Sequence, residues 1–370
     1  MTSTPGPTGS LPFQHVLRAV RAEIAPDADG PDALDLPALT SQADRQEFVR
    51  LSVSHGVGPL VLAGLRRRPT ELPEPLTRTL HRAVMRRSFL SMALRTETGR
   101  LAGLLHEAAL PFLVLKGIAV HDAYGELSLR PSSDNDILVR PEDFGALERL
   151  LVEAGYVRKR RRPTQKKAYL LIHGQYTFER RHGEHTLFVD AHNRVMPFGY
   201  RYSEGVPDLL QRSRTLQVDG VPVPAPSWED MVVILCTNGL KDLWTRLRLV
   251  TDLVVVSAQV NDWNAVAALA ERANCREQVA LGLSLAADLF GTPIPAPFAS
   301  RSDSVVQLSR ALAGTLRGLE DAQSMSGRVR LFLSAQDGTL SRLRYVLYTG
   351  LRRAMEPLLQ SDGAMTAELS

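Results

Sequence analysis

The segment Ser133-Asp134-Asn135-Asp136-Ile137-Leu138-Val139 limits the folds open to this chain more than any other. Two acids stand two residues apart at the mouth of an apolar run. If the run is a strand, side chains at i and i+2 share a face. Asp134 and Asp136 then project together, while Asn135 and Ile137 point the other way. Asp is disfavoured in strands, so two at one strand entrance need compensation. Carboxylates held this close repel each other unless a cation lies between them. Oxygen-only ligands suit a hard ion such as Mg²⁺. The plainer reading is two solvated acids at a loop edge, because Asp-x-Asp alone is a common tripeptide.

A third carboxylate strengthens the first reading. Asp190 falls inside the apolar stretch Leu187-Phe188-Val189-Asp190-Ala191-His192. An acid there is costly to bury unless paired or metal-bound. If the two strands are neighbours, Asp134, Asp136 and Asp190 converge, and three carboxylates can hold two Mg²⁺ ions for phosphoryl chemistry. His192 shares a face with Asp190, either to orient the site or as a satisfied structural histidine.

The basic residues are uneven: of 44, five are Lys and 39 are Arg. Lys116 precedes Gly117 at the end of the strand candidate Phe112-Leu113-Val114-Leu115. A strand, a glycine and then a helix over 118–124 place backbone N–H groups where a phosphate can approach closely. An ordinary strand-to-helix turn reads the same way. Arg130 offers a planar fork for phosphate, or is one of many solvated arginines. Lys241 is expected on a helical face with Asn238, Trp244 and Arg248. Asp252 lies on an otherwise apolar helix, as a salt-bridge partner or a site residue. The run Arg158-Lys159-Arg160-Arg161-Arg162 with Lys166-Lys167 reads best as a solvated sheet edge. RNA binding through it is the less favoured alternative.

Around these motifs the hydrophobic pattern is simple. Residues 11–108 carry helical spacing, with a break where Pro69, Pro73 and Pro75 cluster. Residues 109–226 change character: short strands, a helix over about 141–154, and two longer strands over about 168–180 and 184–192 joined through Gly183. From Ser227 the helical period returns, with helices over 231–240, 243–256, 263–273 and 279–290 and more to about 359. Residues 1–10 read as a disordered lead-in and 361–370 as a frayed tail. The expected fold class is α+β, a small mixed-sheet core between N-terminal and C-terminal helical regions.

Composition excludes some classes. At 44% hydrophobic and 23% charged the chain is ordinary for a globular protein. It has no run of 18 apolar residues, so no membrane partner is expected, and it has no signal-peptide pattern at its start. Two cysteines, Cys236 and Cys275, outside any CxxC pair, fit a reducing cytoplasm rather than a disulfide framework or zinc site. A net charge of +4 suits anionic partners without identifying them.

Taken together, Leu115-Lys116-Gly117, Arg130, the Asp134–Val139 strand, Asp190-Ala191-His192 and the Asn238–Asp252 segment resemble the nucleotidyltransferase superfamily, of polymerase-beta-like fold. They look most like a poorly characterised bacterial family with an LKG strand end, a D-x-D strand and a D-x-H strand. The resemblance covers roughly residues 110–255. It implies that Asp134, Asp136 and Asp190 bind metal and that Lys116, Gly117, Arg130 and Lys241 meet the nucleotide. It further implies Mg²⁺, two ions, and an NTP donor such as ATP, with the acceptor a small molecule, peptide or protein. Two positions depart from the pattern. Gly117-Ile118 stands where the superfamily often has Gly-Ser, and Asn238 where the family often has His. A catalytically inactive binding or antitoxin-like module and a same-fold kinase are the rival expectations.

Overall fold

A computed structural model describes residues 10–25, 39–67, 74–159, 166–200, 202, 204–316, 342–343 and 345–349. The chain opens with four helices: α1 (Leu11–Ile24), α2 (Gln42–Ser54), α3 (Gly58–Arg67) and α4 (Glu74–Glu107). Ser10 and Ser41 cap the first two, each hydroxyl accepting from a backbone N–H in the first turn. Pro69 and Pro73 fall between α3 and α4, and Pro75 stands in the first turn of α4.

The sheet follows. Its strands are β1 (Phe112–Leu115), β2 (Asn135–Val139), β3 (Val157–Arg158), β4 (Gln175–His182) and β5 (His185–His192), in the order β1-β2-β5-β4-β3. All pairings are antiparallel except β2 with β5, which is parallel. Two further helices, α5 (Phe144–Glu153) and α6 (Lys166–His173), and the short α7 (Val206–Gln211) belong to this part of the chain. A separate hairpin joins β6 (Arg214–Val218) to β7 (Val221–Ala225). The C-terminal helices are α8 (Trp228–Lys241), α9 (Leu247–Ser257), α10 (Trp263–Arg272), α11 (Arg276–Phe290) and α12 (Asp303–Leu316). This is a mixed α/β fold with helices on either side of a five-stranded mixed sheet.

β1 and β2 are buried along their whole length, and Phe112–Leu115 and Ile137–Val139 accordingly read as apolar runs. The opposite face of β2 is tied to α4: Thr98 Oγ1 donates to Asn135 Oδ1 at 2.8 Å, and Asn135 Nδ2 donates to the Leu94 carbonyl at 3.3 Å. One continuous apolar cluster runs from Phe13 on α1 through the sheet to Leu316 on α12. No helix among the described residues is long and apolar enough to cross a membrane.

Four local expectations change. Residues Lys166–His173 are helical, so β4 begins only at Gln175; Gly174, at φ +70°, turns the chain between them. The segment expected as a helix over 118–124 is a 3₁₀ helix over Gly117–Tyr124. The helix expected over 243–256 starts at Leu247, because Leu243 and Trp244 take left-handed conformations at φ +54° and +51°. The β6–β7 hairpin was not anticipated. Residues Arg160 to Arg162 of the basic run, the lead-in over 1–9, the tail over 361–370 and the helices expected beyond 316, except for 342–343 and 345–349, lie outside the described residues.

Candidate functional site

The parallel pairing of β2 with β5 sets Asp136 opposite Asp190. The antiparallel pairing of β1 with β2 sets Leu115 opposite Asp136, so Lys116 leaves β1 one residue beyond that pair. Residues paired across a sheet share a face, and His192 lies two residues past Asp190 on it. Four elements of chemistry therefore meet at one end of two central strands.

Asp136 is the hub. Its Oδ1 accepts from His192 Nε2 at 2.9 Å and pairs with Lys116 Nζ at 3.3 Å. An ionised carboxylate can only accept, so the His192 tautomer carries its proton on Nε2. Burial by itself would raise the Asp136 carboxyl, but Lys116 and His192 outweigh it and hold the group well below the usual range. Burial likewise disfavours the Lys116 ammonium, yet Asp136, Asp134, Asp242 and Asp190 together raise it. Lys116 also sits at φ +36°, a conformation strained for a residue with a Cβ. Its contact with Asp136 holds the chain there. Gly117 follows at φ +42°; a Cβ on it would come 3.2 Å from Ser132 Oγ.

Asp190 is held from β4. Thr177, its partner across the hairpin, donates from Oγ1 to Asp190 Oδ1 at 2.6 Å. Gln175 donates from Nε2 to Oδ2 at 2.8 Å. Both carboxylate oxygens are thus oriented. Asp134 stands one residue before β2 and accepts from Ser133 Oγ at 3.0 Å. Burial, then the Asp136 charge, push its carboxyl up, against the pull of Lys116.

Lys241, at the end of α8, approaches from the helical side. Its Nζ lies 3.6 Å from Asp242 Oδ1. Burial first, then the Lys116 charge, lower its ammonium, and Asp136 pulls the other way. Trp244 does not join it. The ring is fully buried and folds back on α8, where a Cβ at Gly239 would stand 2.5 Å from it. The polar stripe expected on one helix is split by the α8–α9 turn.

Arg130 is engaged elsewhere. Its Nε and Nη2 donate to the two oxygens of Asp252 on α9 at 2.7 and 2.8 Å, and Nη1 donates to the Pro131 carbonyl. Tyr124 donates its hydroxyl to Asp252 Oδ1 at 2.7 Å. Of the two readings open for Asp252, the buried ion pair is the one observed.

The donor set fits a divalent cation. One ligand atom from each of Asp136, Asp190 and His192 lies within 4.8 Å of the others. Carboxylate and imidazole donors at this spacing suit a hard or borderline divalent ion. Asp134 stands outside that trio but close enough for its charge to act on Lys116. The buried, mutually repelling carboxylates are offset here by the Lys116 ammonium.

A sequence profile for a family described as uncharacterised nucleotidyltransferase matches residues 41–291, well over half of the chain. The chain belongs to this family. Nucleotidyltransferases are transferases, and the protein is an enzyme of that kind. No curated protein matches it. Among solved structures, the solution structure of the antibiotic-resistance factor ANT(2'')-Ia is 13% identical, with a TM-score of 0.34 over 50% of this chain and 91% of that one. The crystal structure of ANT(2'')-Ia with adenylyl-2''-tobramycin is 14% identical, with a TM-score of 0.32 over 46% and 94%. An antigenic nucleotidyltransferase-like protein from Paracoccidioides brasiliensis is 12% identical, with a TM-score of 0.32 over 48% and 86%.

Of the residues singled out in the sequence of this nucleotidyltransferase, Lys116, Gly117, Asp134, Asp136, Asp190 and Lys241 gather at one place, and Arg130 faces Asp252 instead. His192 joins the cluster. Sequence reasoning missed Thr177 and Gln175. The hairpin register holds the signal for both, because counting back from the turn at Gly183 sets 177 opposite 190 and 175 opposite 192.

Proposed function

We propose that this enzyme transfers a nucleoside monophosphate from an NTP, with ATP the first choice, to an acceptor hydroxyl. The supporting observation is the convergence of Asp136, Asp190 and His192 beside two lysines. In this reading Asp136 and Asp190, with His192 and the neighbouring Asp134, hold Mg²⁺, two ions being the expected number. When bound, the metal neutralises developing phosphate charge and lowers the pKa of the attacking oxygen. The acceptor oxygen attacks the α-phosphorus, the bond to the bridging oxygen breaks, and pyrophosphate leaves. The acceptor proton passes to the Asp190 carboxylate, which Thr177 and Gln175 keep aimed at it. Lys116, with Gly117 giving close backbone approach, and Lys241 sit against the phosphates and exchange their carboxylate contacts for them. The cytoplasm is the proposed setting because Cys236 and Cys275 are both buried and neither is in a disulfide.

Isotope position tests the reading. With Mg²⁺ and a panel of hydroxylated acceptors, label should move from α-³²P-ATP and not from γ-³²P-ATP. EDTA should stop the transfer, and Asp136→Asn should lower it by orders of magnitude while circular dichroism shows the chain still folded, with a reduced thermal midpoint because Lys116 loses its buried partner. Transfer of γ-label means a kinase, and undiminished transfer by Asp136→Asn removes the proposed site.

A further inference from the structure

Arg248 is a half-buried guanidinium without a partner. Its Nε is shielded from solvent and meets no hydrogen-bond acceptor, and Arg248 forms no ion pair among the described residues. Arg130, Arg180 and Arg212, which are similarly enclosed, all rest on carboxylates. A donor cut off from water without an acceptor is costly, and an anion that reached this guanidinium would supply the missing acceptor.

The side chain is also held in place. Arg248 lies one turn before Asp252 on α9, on the side of the helix that meets Arg130 and Tyr124. Its backbone N–H donates to the His55 carbonyl at 3.1 Å. Gly56, at φ +72°, lets its stem lie close, since a Cβ there would stand 3.3 Å from Arg248 Cδ. The charges that act on the guanidinium are Arg130, Asp252, Arg246 and Asp134. Arg130 above all, then burial, push it down to about 10. Asp252 is already taken by Arg130, so it does not neutralise Arg248. The Asp134 charge acts on both arginines, but only Arg248 has no carboxylate of its own.

We propose that Arg248, rather than Arg130, grips the polyphosphate end of the bound nucleotide as a planar fork. This rests on the nucleotidyl-transfer reading above. A polyphosphate supplies paired oxygens of high charge density, which a guanidinium meets with two parallel N–H donors. Lys116 and Lys241, tied to the carboxylates, approach the phosphates as point charges, so the three cations have separate tasks.

The test compares ATP with AMP. Dissociation constants for both are measured by calorimetry on the full chain, in wild type, Arg248→Gln and Arg248→Lys. Wild type should prefer ATP. Arg248→Gln should weaken ATP binding by about 30-fold or more, the scale for removing one member of a buried charge pair. AMP binding should stay as it was, and Arg248→Lys should fall between. The nucleotide-free thermal midpoint of Arg248→Gln should equal or exceed that of wild type, because a shielded donor without an acceptor has been removed. A structural role predicts a drop instead. If wild type prefers ATP and Arg248→Gln keeps the same preference, the assignment to Arg248 is overturned and nucleotidyl transfer stands. If wild type binds neither nucleotide, or does not distinguish them, the nucleotide reading fails and this inference fails with it.

Discussion

The orientation of Asp190 depends on a single short hydrogen bond, from Thr177 Oγ1 at 2.6 Å, and one longer one from Gln175. Groups that only orient a metal-binding or proton-accepting carboxylate typically contribute 10- to 100-fold when removed. Thr177→Val keeps the β-branched shape and deletes the donor. We expect turnover to fall by about 10-fold or more with little change in nucleotide affinity. Steady-state kinetics beside a nucleotide titration will decide, and unchanged turnover would make Thr177 a bystander. This residue is also where legibility can be judged. Asp136 and Asp190 stood out because each is an acid at or inside an apolar strand, and Asp134 because it stands two residues before Asp136. Thr177 carries no such mark and becomes visible only once the hairpin register is counted. The Arg130 contact was not legible because its partner, Asp252, lies 122 residues away in the chain, and nothing local distinguishes a solvated arginine from one bound at that range.

Among the secondary-structure elements, the helices were read well where their period was unbroken, and the start of α9 was misplaced because packing overrode propensity. Leu243 and Trp244 are compatible with helix by propensity, yet packing forces them into left-handed conformations between α8 and α9. The Trp244 ring takes the space beside Gly239 and Gly282, and only a residue without a side chain leaves that space open. At Gly239 a Cβ would lie 2.5 Å from the ring. Gly239→Ala should therefore destabilise the fold by about 1–3 kcal/mol through overpacking. It should also weaken nucleotide binding, because Lys241 follows two residues later on the same helix. Urea unfolding and a nucleotide titration read the two effects separately, and an unaltered midpoint would show that the ring moves aside freely. The β6–β7 hairpin failed for a different reason. Asp219-Gly220 between alternating apolar residues is a strong turn signal, but Pro222 and Pro224 argue against a central strand. A two-stranded sheet leaves each strand a free edge, where proline is tolerated.

For the molecule as a whole, the proposed site draws on both sides of one apolar cluster. The sheet carries Asp136, Asp190 and, at the end of β1, Lys116, and α8 and α9 carry Lys241 and Arg248. We read the partition expected near residues 109 and 227 as this division of labour. Two histidines sit at the joints. His55, in the α2–α3 turn, accepts the Leu247 N–H on its Nδ1 at 3.3 Å and so docks the start of α9. Burial first, then Arg50 and Arg246, lower its pKa from 6.5 to about 4, with Glu47 opposing. His121, in the turn after β1, lies 3.1 Å from Ser132 Oγ; burial first, then Arg130 and Arg95, lower it from 6.5 to about 4, with Asp252 opposing. Both rings are neutral in the folded chain at neutral pH. Between pH 6.5 and 4 the unfolded chain binds protons that the folded chain refuses, so acid favours unfolding in that window. The stability held by the two neutral rings is complete above 6.5 and disappears as pH falls to about 4. Each ring contributes up to about 3 kcal/mol of it. The lowered carboxyl of Asp136 acts only further down, below its ordinary value of 3.8. Scanning calorimetry should show the melting temperature falling across the histidine window. His55→Gln, which keeps an acceptor for Leu247 and cannot take a proton, should remove about half of that slope. A melting temperature that stays level from pH 6.5 to 4 would mean that the two joints open to water before the fold is lost.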